Sequence, residues 1–152
     1  MRHVVPVLLI LGACSDSGRE PGPTGDEFDV AREVTSSAPC PRFAETKTTH
    51  TVTILADELL VDGAAASEIQ VGPAGADPER GDAPNLMFTT HEAWTSDDGP
   101  AAPAISYRLW ARAETLTGTA STSFAFDTET TAMDCTFAWT VTGVRIATQL
   151  GL

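Results

Sequence analysis

The side chains in this sequence able to do more than pack are few. His91 and Glu92 open the stretch "HEAWT", which begins like the zinc motif HExxH. That motif needs a second histidine one helical turn on, so that two imidazoles share the metal while the glutamate acts as base. Here that position is Thr95, so His91 and Glu92 read as ordinary strand residues, and His50 as a lone strand histidine. With no spaced cluster of His or Cys, no metal site and no transition-metal chemistry are expected. Neither GxSxG nor SxxK occurs, and no glycine-rich phosphate loop precedes a helix. The acidic pairs Asp97-Asp98, Asp77 with Glu79, and Asp127 with Glu129 resemble no twelve-residue calcium loop and read as solvated loop acids. Arg80-Gly81-Asp82 spells the tripeptide of animal adhesion receptors and is read as coincidence. Among the tryptophans, Trp139 falls on an apolar strand face, whereas Trp94 and Trp110 are the candidates for ligand contact. No catalytic residue and no cofactor is expected.

Composition narrows the partners. Against 21 acids stand 9 bases, a net charge of -12. Phosphate recognition needs a basic face, so nucleic acid is excluded as a partner, and attraction to anionic headgroups fails for the same reason. The acidity reads as a solvated surface, or more sharply as complementarity to a cationic ligand or partner.

The N-terminus has its own grammar. "MRH" supplies a positive start, and "VVPVLLILGA" is an apolar run that ends in small residues. The run is too short to cross a bilayer, which takes about 20 apolar residues, and reads as an export signal. It ends in Leu11-Gly12-Ala13-Cys14. This tetrad resembles the lipobox of bacterial lipoproteins. The resemblance implies a thioether-linked diacylglycerol on Cys14, cleavage between Ala13 and Cys14, and an acylated new amino terminus. Ser15 follows the cysteine where an inner-membrane retention signal would have Asp, which favours the outer membrane. Each buried methylene contributes about 0.8 kcal/mol, so two or three chains hold the protein firmly in the lipid bilayer without a transmembrane helix.

The chain divides into three regions: a signal peptide over residues 1–13, a lipidated tether over 14–38, and a β-rich domain over 39–152. The tether, rich in Ser, Gly, Pro and acids, cannot bury enough apolar area to offset ordering. Within it Phe28–Val34 is expected to be weak structure docked on the domain. Beyond Glu45 apolar residues alternate with period two, the pattern of half-buried strands. Such runs are "THTVTILA", "SEIQV", "NLMFTTHEAW", "AISYRLWARA", "TASTSFAF" and "CTFAWTV". Ala64–Glu68 is expected as a helical turn, Asp127–Asp134 as a hairpin, and Gly143 as a bulge shifting the apolar face to Val144 and Ile146. Six or seven strands in such a length make an all-β fold, an antiparallel β-sandwich, or alternatively a small barrel.

Lipidation of Cys14 leaves Cys40 and Cys135. Outside the cytoplasm two spare thiols in a small domain pair, with two free buried cysteines as the alternative. The expected whole is a lipid-anchored envelope protein with a non-catalytic β-domain acting by binding or interaction. The alternatives are a carrier of a small hydrophobic ligand or glycan, lined by Trp94 or Trp110, and an envelope hydrolase.

Overall fold

A computed structural model describes residues 25–37, 40–43, 48–129 and 132–146. The leader, Cys14 and the tether as far as residue 24 lie outside the described residues. The described residues form eleven strands, the longer ones alternating apolar and polar residues: β1 (Asp26–Ser37), β2 (Thr49–Ile54), β3 (Leu59–Val61), β4 (Ala64–Ala65), β5 (Ser67–Val71), β6 (Leu86–His91), β7 (Trp94–Ser96), β8 (Gly99–Ala101), β9 (Ala104–Ala111), β10 (Thr115–Asp127) and β11 (Ala132–Arg145). Among the described residues the helical content is one 3-10 turn, Pro78–Arg80. The all-β expectation therefore holds. Nine strands form a single antiparallel sheet in the order β4-β3-β2-β1-β11-β10-β9-β6-β5, and β7 and β8 form a separate hairpin. The large sheet coils until it is nearly a closed barrel, the second of the two expected architectures.

How it closes is visible in the chain. The two end strands of the sheet are consecutive, separated only by Ala66. Ala64 and Ala65 pair with Val61 and Leu60, and the Ala66 amide donates to the Leu59 carbonyl. From Ser67 the same run pairs instead with β6. One stretch of backbone thus straddles the seam and changes partner in the middle. Glu68, at φ 51°, sits within the register shift just after the change. Ala64–Glu68 is accordingly strand rather than a helical turn.

β1 corrects the expected tether. It is an interior strand paired with β2 on one side and β11 on the other. Phe28, Val30 and Arg32 are buried, alternating with exposed Asp29, Ala31 and Glu33. Acids on the outward positions lowered the apparent hydrophobicity without breaking the period. Gly143 differs too. β11 keeps its parity through that residue, leaving Val144 outside at 65% exposure. A Cβ at Gly143 would lie 3.0 Å from Val30 and 3.1 Å from Leu116, so the glycine lets β1 and β10 close on β11. Asp127–Asp134 does join the longest pair of strands as a hairpin, in unbroken register from Thr115 to Asp127. Gly118, at φ 155°, faces Leu109 so closely that a Cβ would lie 2.2 Å from the Arg108 carbonyl oxygen.

The barrel is filled with side chains. Val52, Leu86, Ile105, Leu109, Leu116 and Val141 are among those buried in it, and Phe88 stacks on its cross-strand partner Tyr107 at 4.6 Å. One end is plugged by aromatic rings. Trp94 meets Phe43, Phe137 and Trp139 at 5.4, 5.2 and 6.1 Å. Cys40 and Cys135 form a disulfide with Cα atoms 5.4 Å apart, which holds the segment carrying Phe43 against this plug.

The bridge spans 95 residues, a loop whose closure is worth about 4–5 kcal/mol in the chain-entropy model. In the Cys14→Ser chain, iodoacetamide should label no cysteine after denaturation without reductant and two after reduction. Cys135→Ala should lower the melting temperature clearly. Gly118→Val forces β9 and β10 apart and should cost about 3 kcal/mol or more in denaturant unfolding.

Candidate functional site

Arg32 lies at an inward position of β1, so a guanidinium is delivered into the barrel. Its side chain is 1% exposed. A charge so placed must find compensation, because its desolvation costs several kcal/mol. It finds Glu92, which lies just beyond β6 on the far side of the seam. Nη1 lies 2.9 Å from Oε1, and Nη2 donates to Oε2 at 3.1 Å. Nη1 also donates to the Tyr107 hydroxyl at 2.8 Å, and the guanidinium rests 4.9 Å from the centre of a Trp139 ring. The two-pronged geometry suits a planar guanidinium against a carboxylate, and the aromatic face adds cation–π attraction.

The chain of polar groups continues towards solvent. His50, inward on β2, places Nε2 3.8 Å from Glu92 Oε1. Its Nδ1 lies 2.7 Å from Asp62 Oδ2. Asp62 and Gly63 make the two-residue turn between β3 and β4, with φ of 52° and 81°, the left-handed pair that an Asp-Gly hairpin turn requires. The turn aims the Asp62 carboxylate back at β2, where Oδ1 also accepts the Thr51 amide at 2.9 Å. Asp62, His50, Glu92, Arg32 and Tyr107 therefore form one line from the rim to the interior.

Beside this line the seam is open. Ala64 and Ala65 spend their pairing on β3, so among the described residues β6 beyond Thr89 has no ladder partner across the gap. The result is a hollow of about 790 Å³. His50, Asp62, Thr90, His91 and Glu92 supply its polar wall, and Val61, Ala64, Ala65, Ala93 and Trp94 the apolar one. Size and mixed lining are those of a small-molecule site. Glu92 and Asp62 already accept bonds from inside the protein, and Trp94 donates its indole N–H to Glu92 Oε2 at 2.8 Å.

The residues singled out from sequence fall in different places. His50 and His91 with Glu92 come together at the hollow. Trp94 borders it but is buried to 1% exposure, its ring spent on the aromatic plug. Trp110 lies elsewhere, half-buried on β9, donating to the Asp82 carbonyl at 2.9 Å and so fastening the loop before β6. In that loop Asp82 accepts the Asp77 amide and the Arg80 guanidinium, which hold its carboxyl below the usual range, the amide being the larger cause. The Arg80 and Asp82 side chains of the tripeptide are thus bonded to each other. Among the described residues no group of three or more His, Cys, Asp or Glu is placed to hold a metal. Sequence reasoning missed Arg32 and Asp62. Arg32 shares the parity of Phe28 and Val30, and Asp62 heads an Asp-Gly turn signal; both cues were readable once β1 and the β3–β4 hairpin were recognised. Comparison with known proteins matches no protein-family model, no curated protein and no solved structure.

Tyr107 is the only tyrosine, and burial first, then the Glu92 carboxylate, push its hydroxyl up to about 12 against the opposing pull of Arg32. Tyrosinate absorbance should therefore appear near pH 12 in the folded protein and near pH 10 in denaturant. Because the folded value is the higher, the stability it represents, about 3 kcal/mol, is present below pH 10 and lost between pH 10 and 12. Arg32→Ala strands Glu92 and should cost about 3–5 kcal/mol in urea unfolding, whereas Arg32→Met with Glu92→Leu should cost much less.

Proposed function

We propose that this chain is a lipid-anchored protein of the bacterial cell envelope whose β-domain binds a small molecule in the His50 hollow without transforming it. The Leu-Gly-Ala-Cys tetrad ending at Cys14 supports the anchor, and the adjoining Ser15 supports the outer membrane. The Cys40–Cys135 disulfide supports export, since such bridges persist in oxidising compartments. The observation that carries the binding reading is the hollow itself, a preformed opening of about 790 Å³ with a polar and an apolar wall. Its carboxyl-bearing lining residues, Asp62 and Glu92, accept hydrogen bonds. The ligand they suit is one rich in donors, an amine or a polyol, with an apolar edge for Val61 and the alanines. A non-catalytic role is supported by the engagement of both carboxylates with His50, Thr51, Arg32 and Trp94.

Two measurements test this. Replacing Cys14 with serine should abolish incorporation of radiolabelled palmitate and release the protein from membranes; a labelled, membrane-bound variant contradicts the anchor. Titration with amino sugars, polyols and fatty acids, read by amide chemical shifts, should move residues at His50, Asp62 and Thr90–Trp94 for the first two classes. Ala65→Trp, which fills the hollow, should remove those shifts. Shifts that survive it, or that lie elsewhere, contradict the site.

A further inference from the structure

The change of partner at Ala66 opens the seam at its other end as well, and there the exposed group is backbone. Among the described residues β5 pairs with β6 alone, and all five of its residues are exposed. The hydrogen bonds set its ladder phase. The Gly72 amide donates to the Asn85 carbonyl at 2.7 Å, and Gln70 stands opposite Met87 in the same register. In an antiparallel pair the bonded residues alternate, so Gln70 turns its amide and carbonyl towards β6 and Val71 turns both away. The outward groups of Val71 have the geometry that an added strand would bond.

The side chain points the same way. Val71 is directly opposite Leu86, and directly opposed residues share a face of the sheet. Leu86 is buried in the barrel, yet Val71 on the same face is 74% exposed. What should be interior is uncovered at this end. Beside Val71 lies a hollow of about 660 Å³, walled by Phe28, Ile54, Leu86 and Ala111 as well as Val71 itself. The charged residues that line it, Asp26 and Arg112, are each paired, with Arg145 and Asp77. Along the strand itself stand further acids: Glu68 is on β5, and Asp57 and Glu58 precede Leu59, whose carbonyl bonds Ala66 at the start of that strand.

We infer that the outer edge of β5 is a docking site for an extended, cationic segment of a partner protein, which adds a strand beside Ser67–Val71 and lays its apolar side chains over Val71 in the Phe28–Ile54–Leu86 hollow. Backbone bonds along the edge give affinity, alternate side chains in the hollow give register, and the surrounding acids select the cationic partner. A second copy of this chain fits poorly, since each carries a net charge of -12. The surface is separate from the His50 hollow, and its occupation does not depend on a ligand there.

The test uses the full chain in detergent and two synthetic probes, acetylated heptapeptides alternating Val with Lys or Val with Glu. The lysine peptide should bind, weaken as salt is raised, and protect the Val71 amide from exchange. Val71→Pro removes the outward N–H at an exposed edge position without touching the β6 ladder, and Val71→Lys keeps that N–H but removes the apolar cover and adds repulsion. Each should weaken the lysine peptide about tenfold or more. Failure of the lysine peptide to bind, equal binding of the glutamate peptide, or unchanged binding by both variants overturns the proposal. So does a dimer of the wild-type chain that Val71→Pro dissolves, because the edge then belongs to a second copy.

Discussion

One buried cation governs this molecule. Arg32 enters the barrel because β1 alternates, and its charge then obliges Glu92, Tyr107 and Trp139 to stand where they do. The pair need not add much net stability, because the desolvation of two ions offsets much of their attraction. Its effect is positional. Glu92 comes from the chain beyond β6, on the other side of the seam from β1 and β2, so the ion pair is a clasp across a gap that, among the described residues, has no backbone ladder at that level. Glu92 passes the constraint on by accepting the Trp94 indole N–H, and Trp94 packs against Phe43, which the disulfide segment carries. The aromatic plug and the clasp are one connected structure.

The seam explains the rest. A strand run that pairs first with β3 and then with β6 can bridge two sheet edges only by leaving each half of itself with one partner. Two openings result. Towards Asp62 and Glu92 the opening has one polar and one apolar wall, and is the one proposed to take a small donor-rich molecule. Towards Phe28 and Ile54 it is mostly apolar and bordered by the outward backbone groups of Val71, the edge proposed to take a strand. The same economy of pairing therefore yields two chemically different surfaces.

The legibility of these features divides along physical lines. β9 and the β10–β11 hairpin read plainly, because clean alternation with β-branched and aromatic residues has one interpretation. β1 did not, since "DEFDVAREV" carries acids on its outward face and an arginine on its inward one, and only tertiary context separates a charged exposed strand from a spacer. Gly143 shows the converse error. It looked like a bulge in isolation, yet its role is set by Val30 and Leu116, residues far away in sequence. The cysteine pair was legible by counting, whereas the line from Asp62 to Tyr107 was not. It depends on a hairpin turn, three strands and a connection meeting at one depth. Exposure of Val71 was equally hidden, because alternation places it inward and only the partner change uncovers it.

The most direct measurement is amide hydrogen exchange along the Ala64–Val71 run, residue by residue, in the wild-type chain and in Glu92→Gln. A clasped barrel with a partner-switching seam predicts strong protection at Ala66, Gln70 and Gly72 and little at Val71. It also predicts that Glu92→Gln loosens β4 and the residues after β6 while β10 and β11 stay protected. Uniform protection along β5, or equal loosening of every strand in Glu92→Gln, would contradict it.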